Sequence, residues 1–278
     1  MPSYLSEIMV AHRAAAASDT RDPIGLEARA LAAPAPRPFR AALAGAEAGG
    51  LAVIAEVKRR SPSAGALAPD LDPAEVGTAY ASGGATCLSV LTDAAYFGGA
   101  PEDLSAARAA SGLPVLRKDF TVSAGDVCDA RLMGADAVLL IAAALNDREL
   151  AGLAELAARL SLGALVEVHD DTDLARALDL GADLIGVNQR NLATFAVERG
   201  RAERMAASIP ASVLAVAESG VRDPADAARL AAAGYQAVLV GESVVVAGDR
   251  AAAVRRLAGH PVGERATLAG GMTGGAGR

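Results

Sequence analysis

Glu56 and Lys58 close an apolar run, Val53-Ile54-Ala55-Glu56-Val57-Lys58, that has the composition of a buried strand. Side chains two apart on a strand share a face, so Ile54, Glu56 and Lys58 point the same way, and that way begins apolar. Burying a carboxylate or an ammonium without a partner is costly, so the two are either a structural ion pair or part of a site. The pattern recurs. Lys118 shares a face with Leu116 and Phe120 in LPVLRKDF, and Glu167 shares one with Leu165 in GALVEVHD. Asn188 and Arg190 end a further apolar run, and Glu218-Ser219-Gly220 and Gly241-Glu242-Ser243 end two more. A single lysine or glutamate at a strand end is ordinarily solvated or ion-paired. Several of them converging on one confined cleft would shift one another's pKa and supply general acids and bases.

The glycines point to a second chemistry. Small residues at Ser219-Gly220 and Gly241 let backbone N–H groups approach an anion such as a phosphate. Glu242 is a poor phosphate neighbour by its side chain, so any contact there comes from the backbone. His169 shares the parity of Glu167 but has no obvious relay partner in the sequence, and His12 and His260 fall outside the strand-bearing region. No His, Cys and Asp set has metal-ligand spacing, and no Ser-His-Asp arrangement stands out. Cys87 and Cys128 lie inside a strand pattern and a helix pattern, where each reads as a small core residue and not as part of a disulfide framework.

These residues need a scaffold, and the chain repeats one. SGGATCLSVLT, LMGADAVLLI, LDLGADLIGVN and AAGYQAVLVG share a helix-like end, a glycine (Gly84, Gly134, Gly181, Gly234) and a short apolar strand. The glycine suits the position just past a helix, where φ is positive. The four recur at intervals of about fifty residues, two strand–helix units each. LAVIAEV, LPVLRKDF, GALVEVHD and SVLAVAESG lie between them, which makes eight strands. The intervening helices include DPAEVGTAYASGG, NDRELAGLAELAARL and RDPADAARLAAAG, opening on Asp-Pro or Asn-Asp as N-cap and first-turn chemistry requires. Continuous apolar strands alternating with helices predict a parallel sheet covered on the outside, and eight units predict a (β/α)8 TIM barrel. An open doubly wound sheet is the rival, but no GxGxxG opens the first unit. In a barrel these strand ends meet at one mouth, with odd-numbered strands bringing Glu56, Lys118 and Glu167 to one layer.

Residues 1–48 carry Tyr4, Leu5, Ile8 and Met9 at helical spacing and a proline-broken connector, PAPRPF, which predicts an N-terminal helical extension packed on the barrel. The barrel is expected over residues 49–259, and residues 260–278, ending GGMTGGAGR, are expected to be a disordered tail.

The 278 residues are 52% hydrophobic but only 3% aromatic, which suits alanine-rich helices packed closely on a sheet. A net charge of −7 without a long basic run argues against nucleic acid as a partner. Arg59 and Arg60 form a local basic spot in RRSPS, of a kind that suits a small anionic ligand. There is no signal-peptide pattern and no long uncharged apolar run, so a cytoplasmic protein with no membrane partner is expected.

EVKRRSPSAG, LSVLTDAAYFGG, LPVLRKDF, GADAVLLI, LVEVHD, IGVNQRNL, AESGV and AVLVGESVV occur in the order found in indole-3-glycerol-phosphate synthases. The resemblance spans about residues 36–248, and EVKRxSPS with LRKDF is its most specific part. It implies a phosphate-binding barrel of tryptophan biosynthesis that acts on 1-(2-carboxyphenylamino)-1-deoxyribulose 5-phosphate and uses no metal or organic cofactor. Carried over by motif, Lys118 is the principal general acid and Glu167 its acid/base partner. Lys58 holds the substrate carboxylate or takes part in proton transfer, Glu56 orients the lysines, and Asn188 and Ser219 contact substrate oxygens. Ser61, Arg190, Gly220, Gly241 and Glu242 correspond to the anion-binding set. Phe97, Phe120, Leu139 and Leu192 form the apolar slot for the benzene ring, and RRSPS is a basic loop facing the ligand. Asn191 stands where some members have Asp.

The rival readings are a sugar-phosphate isomerase, a Schiff-base aldolase, or a non-catalytic barrel that binds a phosphometabolite. The last predicts loss of Lys58, Lys118 or Glu167, and all three are present. A monomer or weak homo-oligomer is expected, with a small phosphorylated substrate as the partner.

Overall fold

The apolar runs pair edge to edge in chain order. In the computed structural model, which describes residues 4–46, 49–62, 64–191 and 196–265, they form β1 (Ala52–Val57), β2 (Cys87–Leu91), β3 (Val115–Lys118), β4 (Ala137–Ile141), β5 (Gly163–Val168), β6 (Leu184–Asn188), β7 (Leu214–Glu218) and β8 (Ala237–Val240). All are parallel, and β8 returns to pair with β1, closing the (β/α)8 barrel. The helices that follow the strands are α4 (Pro73–Ser82), α5 (Ala94–Phe97), α6 (Pro101–Ser111), α7 (Ala124–Leu132), α8 (Asp147–Arg159), α9 (Asp171–Asp179), α10 (Arg201–Ala206), α11 (Pro224–Ala232), α12 (Glu242–Val245) and α13 (Arg250–Leu257). Asp72, Asn146 and Asp223 cap α4, α8 and α11 as the sequence predicts, each side chain accepting from a backbone N–H in the first turn. The four repeated glycines all have φ between +80° and +92°.

Alternation sends one set of strand residues outward to the helices and the other into the barrel. Val53, Ala55, Val57, Leu88 and Val90 belong to the outer core, with Tyr80 and Tyr235 fully buried in it. Each phenol finds a backbone acceptor: Tyr80 donates to the Glu56 carbonyl at 3.1 Å and Tyr235 to the Ala202 carbonyl at 2.7 Å. Ile54, Cys87, Leu116, Leu139, Leu165, Val216 and Leu239 fill the interior. Burying an aliphatic side chain of this size stabilises by about 1.5–3 kcal/mol.

The N-terminal extension does two jobs at opposite ends. α1 (Tyr4–Ala17) lies at the mouth, tied down by Arg13, whose guanidinium holds Glu149 at 2.6 Å. α2 (Pro23–Ala32) packs along α7. α3 (Phe39–Ala46) then closes the base, where Phe39 and Leu43 join the interior cluster and the Cys87 thiol meets the Phe39 carbonyl at 3.8 Å.

Residues 260–265, assigned to a tail on sequence grounds, belong instead to that base. Leu51 donates its N–H to the His260 carbonyl at 2.8 Å, and Gly263 donates to Ala231 at 2.9 Å. The Arg265 guanidinium donates to the Gly234 and Val213 carbonyls and to Gln236 Oε1. Nothing in the local composition of VGER announces this docking, because the acceptors lie on β7 and β8 approaches far back in the chain. Residues 266–278 are outside the described residues. Among the described residues no helix is long and apolar enough to cross a membrane.

Candidate active site

The C-terminal ends of the strands open into a cavity of about 400 Å³, within the range of small-molecule sites. Glu56, Lys58, Ser61, Phe97, Lys118, Phe120, Leu139, Glu167, Asn188, Arg190, Ser219, Gly220, Gly241 and Glu242 all line it. Leu192 lies outside the described residues. The mouth therefore brings together the described residues expected to act in catalysis or substrate binding, while Arg59, Arg60 and His169 do not line it.

Glu56 and Lys58 face inward from β1 and form a close ion pair in which both side chains are largely buried. Room for it comes from Gly241 at the end of β8, where a Cβ would stand 2.2 Å from Glu56 Oε1 and 3.0 Å from Lys58 Nζ. Burial pushes the Glu56 carboxyl up, but the Lys58 and Lys118 ammoniums, the hydrogen bond from Lys58 and the charge of Arg190 outweigh it and hold it below its ordinary value.

Lys118 ends β3, and its Nζ stands 3.8 Å from Glu167 Oε2. Burial alone would pull the ammonium down. Glu167, Glu218, Glu56 and Asp119 overcome that and raise it, so Lys118 enters the cavity as a proton donor. Behind it, Arg117 and Thr92 hold Asp119, with the guanidinium at 2.9 Å.

Glu218, a strand end in the sequence, carries no role there and proves central to the cluster. It ends β7, is 2% exposed, and its Oε1 occupies the space that a Cβ on Gly186 of β6 would fill, at 2.0 Å. Burial and the Glu167 charge push its carboxyl well above the ordinary range, and Lys118 only partly offsets them. The signal was available. Leu214, Val216 and Glu218 alternate inward as Ile54, Glu56 and Lys58 do, which is the local signal for its place in the site. Leu5, Ile8, Val197, Arg199, Arg222, Ser243 and Val246 also line the cavity without having been singled out as site residues.

The mouth beside β7 and β8 is built from backbone. Ser219 has φ 65° and Gly220 φ 76°. A serine in the left-handed region costs about 1–2 kcal/mol, and the Gln189 amide secures the turn by donating to the Ser219 carbonyl at 2.9 Å. Asn188 is 5% exposed and accepts from the Arg190 N–H at 2.9 Å. Opposite these polar groups the Phe97 and Phe120 rings lie 6.3 Å apart.

Arg59 and Arg60 do not face the cavity: Arg59 grips Asp103 of α6, and Arg60 donates to the Ala94 and Ala95 carbonyls of α5. Strand parity sends Arg59 outward to the helix layer, so the pair pins the loop and Lys58 and Ser61 carry its inward face. His169 stands near two carboxylates, with Nε2 3.4 Å from Glu167 Oε1 and Nδ1 3.7 Å from Asp173 Oδ2, but neither ring nitrogen has a hydrogen-bond partner among the described residues. His12, placed outside the barrel by its sequence position, reaches the mouth from α1 and pairs with Asp93.

Taken together, a proton-donating lysine among buried carboxylates, a backbone-rich corner and an apolar wall can activate a carbonyl and hold an anionic, aromatic ligand. A family model described as indole-3-glycerol phosphate synthase matches residues 5–257. The chain is 54% identical over 210 residues to an indole-3-glycerol phosphate synthase of Parafrankia sp. (strain EAN1pec), covering 76% of this chain and 78% of that one. It is 51% identical over 232 residues to one from Mycolicibacterium gilvum (strain PYR-GCK), covering 84% of each. Among solved structures, a thiamine phosphate pyrophosphorylase from Pyrococcus furiosus superposes with a TM-score of 0.55 at 17% identity, over 76% of this chain and 95% of that one, a likeness of fold alone. With the motifs, the barrel and the mouth in agreement, the chain belongs to the indole-3-glycerol phosphate synthase family.

Proposed function

We propose that the cavity closes 1-(2-carboxyphenylamino)-1-deoxyribulose 5-phosphate to indole-3-glycerol phosphate, with release of CO2 and water, through roles divided among the strand-end residues. The observation that carries the assignment of roles is Lys118, its ammonium favoured by Glu167, Glu218, Glu56 and Asp119 in the cavity that Phe97 and Phe120 also line. The family's enzymes are carboxy-lyases of tryptophan biosynthesis that take a small phosphorylated substrate.

The aromatic carbon bearing the carboxylate attacks the ketone carbon, and Lys118 protonates the ketone oxygen as the C–C bond forms. Lys58, anchored by Glu56, holds the substrate carboxylate until CO2 leaves and its bonding electrons return to the ring. Glu167, beside Lys118, serves as acid and base for loss of the hydroxyl as water. Asn188 and Ser219 meet substrate oxygens, the backbone at Gly220, Gly241 and Glu242 with Ser61 and Arg190 receives the phosphate, and Leu139 joins the ring slot. General acid–base contributions of this kind are about 10²–10⁴-fold in rate.

A Schiff-base aldolase needs a lysine that is readily deprotonated. The carboxylates around Lys118 bias it the other way, which favours the acid role. Incubating the purified chain with the substrate and following indole fluorescence tests the assignment, beside Lys118→Ala. A rise with wild type and none with the variant is expected. No rise with intact substrate and wild type would sink it.

A further inference from the structure

One titratable side chain of the N-terminal extension reaches the mouth from outside the acid–base cluster. His12 on α1 puts Nε2 3.0 Å from Asp93 Oδ2. Its ring lies against Phe120, with centroids 5.3 Å apart and a tilt of 50°. Asp93 is also the N-cap of α5, the short helix that ends in Phe97, and its Oδ1 accepts from the Tyr96 N–H at 2.5 Å. The Phe97 N–H donates to the same carboxylate. One imidazole therefore touches one ring of the slot directly and holds the other through Asp93. Leu5 and Ile8, seven and four residues before His12 and so on the same helix face, line the cavity.

The donor atoms of His12, Asp93 and Asp119 lie within 4.8 Å of one another, a spacing that a cation could also use. Asp119 is already committed: Oδ2 accepts from Thr92 and Arg117, and Oδ1 from the Phe120 N–H. The cluster is better described as an ion-pair network in which His12 is the removable member.

We propose that His12 is a positioning residue for the reaction, pinning α1 across the mouth and setting Phe97 and Phe120 as a preformed slot for the substrate's benzene ring. The proposal rests on the assignment of that slot to the ring. The charged groups facing His12 are Asp93, Asp119 and Asp126, with Arg117 already paired to Asp119. The hydrogen bond with Asp93 raises the imidazole above its ordinary value against partial burial, and the charges of Asp119, Asp93 and Asp126 add to it. A preformed slot lowers the ordering cost of binding, so its loss appears in affinity before it appears in the chemical step.

The test compares the full chain with His12→Gln, Asp93→Asn and the double variant. Steady-state indole formation is measured beside equilibrium titration with indole-3-glycerol phosphate, followed by ligand fluorescence in a chain without tryptophan. Each single variant is expected to raise KM and product Kd about five- to twentyfold without lowering kcat. The double variant should be no worse than either, because both break one link. The variant-to-wild-type KM ratio should shrink as pH rises past the ordinary imidazole range and the imidazolium is lost. Unchanged KM with reduced kcat, variants equal to wild type, or a ratio indifferent to pH would each overturn the proposal. Should His12→Gln fail to fold, Asp93→Asn keeps a capping side chain and carries the comparison. Wild type without turnover would overturn the reaction assignment instead, so the two failures are distinguishable.

Discussion

Lys118 Nζ and Glu167 Oε2 stand 3.8 Å apart across the barrel mouth, close enough to attract and too far to hydrogen-bond. The ammonium is therefore held without being consumed, and Glu167 Oε2 is buried with no hydrogen-bond partner among the described residues. Leaving such an oxygen unmet costs about 1–3 kcal/mol, a penalty that a substrate group entering between them would relieve.

The first prediction follows from that gap. Lys118→Ala should lower kcat by at least about 10²-fold, and Lys118→Arg, which keeps the charge but does not give up its proton, should also lose most turnover. Single-turnover indole fluorescence checks both. Lys118→Ala within tenfold of wild type would remove Lys118 from the general-acid role.

Gly186 should be intolerant of a methyl group for the sake of Glu218. A Cβ there would meet Glu218 Oε1 at 2.0 Å and Leu165 Cδ1 at 3.3 Å, and overpacking of this kind costs about 1–3 kcal/mol. Gly186→Ala is expected to lose both stability and kcat. Adding Glu218→Ala should restore the melting temperature but not the activity, which separates crowding from chemistry.

The pH dependence of stability carries the mark of Glu218. Its folded carboxyl is raised by burial and by Glu167, so the folded state holds the proton more tightly than the unfolded chain. The corresponding stability is fully present below the unfolded value, about 4.3, and is lost as pH rises through the folded one. Glu218→Gln does not titrate. Its melting temperature should gain on that of wild type as pH rises above the unfolded value. A pH-independent offset in thermal melts would contradict this.

At the opposite end of the barrel, Phe39 should matter for folding alone. It is 2% exposed in the base plug, and Phe39→Ala is expected to cost about 3–5 kcal/mol, a fall in melting temperature on the order of 10 °C. KM and kcat of the folded fraction should be unchanged. A specific loss of kcat would mean that the base communicates with the mouth.

Whatever repeats locally could be read from the chain alone. Period-two alternation, Asp-Pro and Asn-Asp caps and the glycines after the helices specify strands, helices and their order, because each depends on residues a few positions apart. Once the barrel follows from eight such units, its geometry collects Glu56, Lys58, Lys118 and Glu167 at one mouth, so most of the candidate site was legible. The tertiary structure alone decided which charges stay there. Arg59 and Arg60 read as part of the ligand-facing loop, but their partners Asp103, Ala94 and Ala95 sit on neighbouring units and turn both away. His12 meets Asp93 across 81 positions, and Arg265 finds its acceptors more than two dozen residues upstream. The charge state of Glu218 depends on Glu167 and Lys118 facing it from other strands and on the missing Cβ of Gly186. Such contacts have no periodicity to read, because the loop closures that bring them together are set by the packing of the whole barrel.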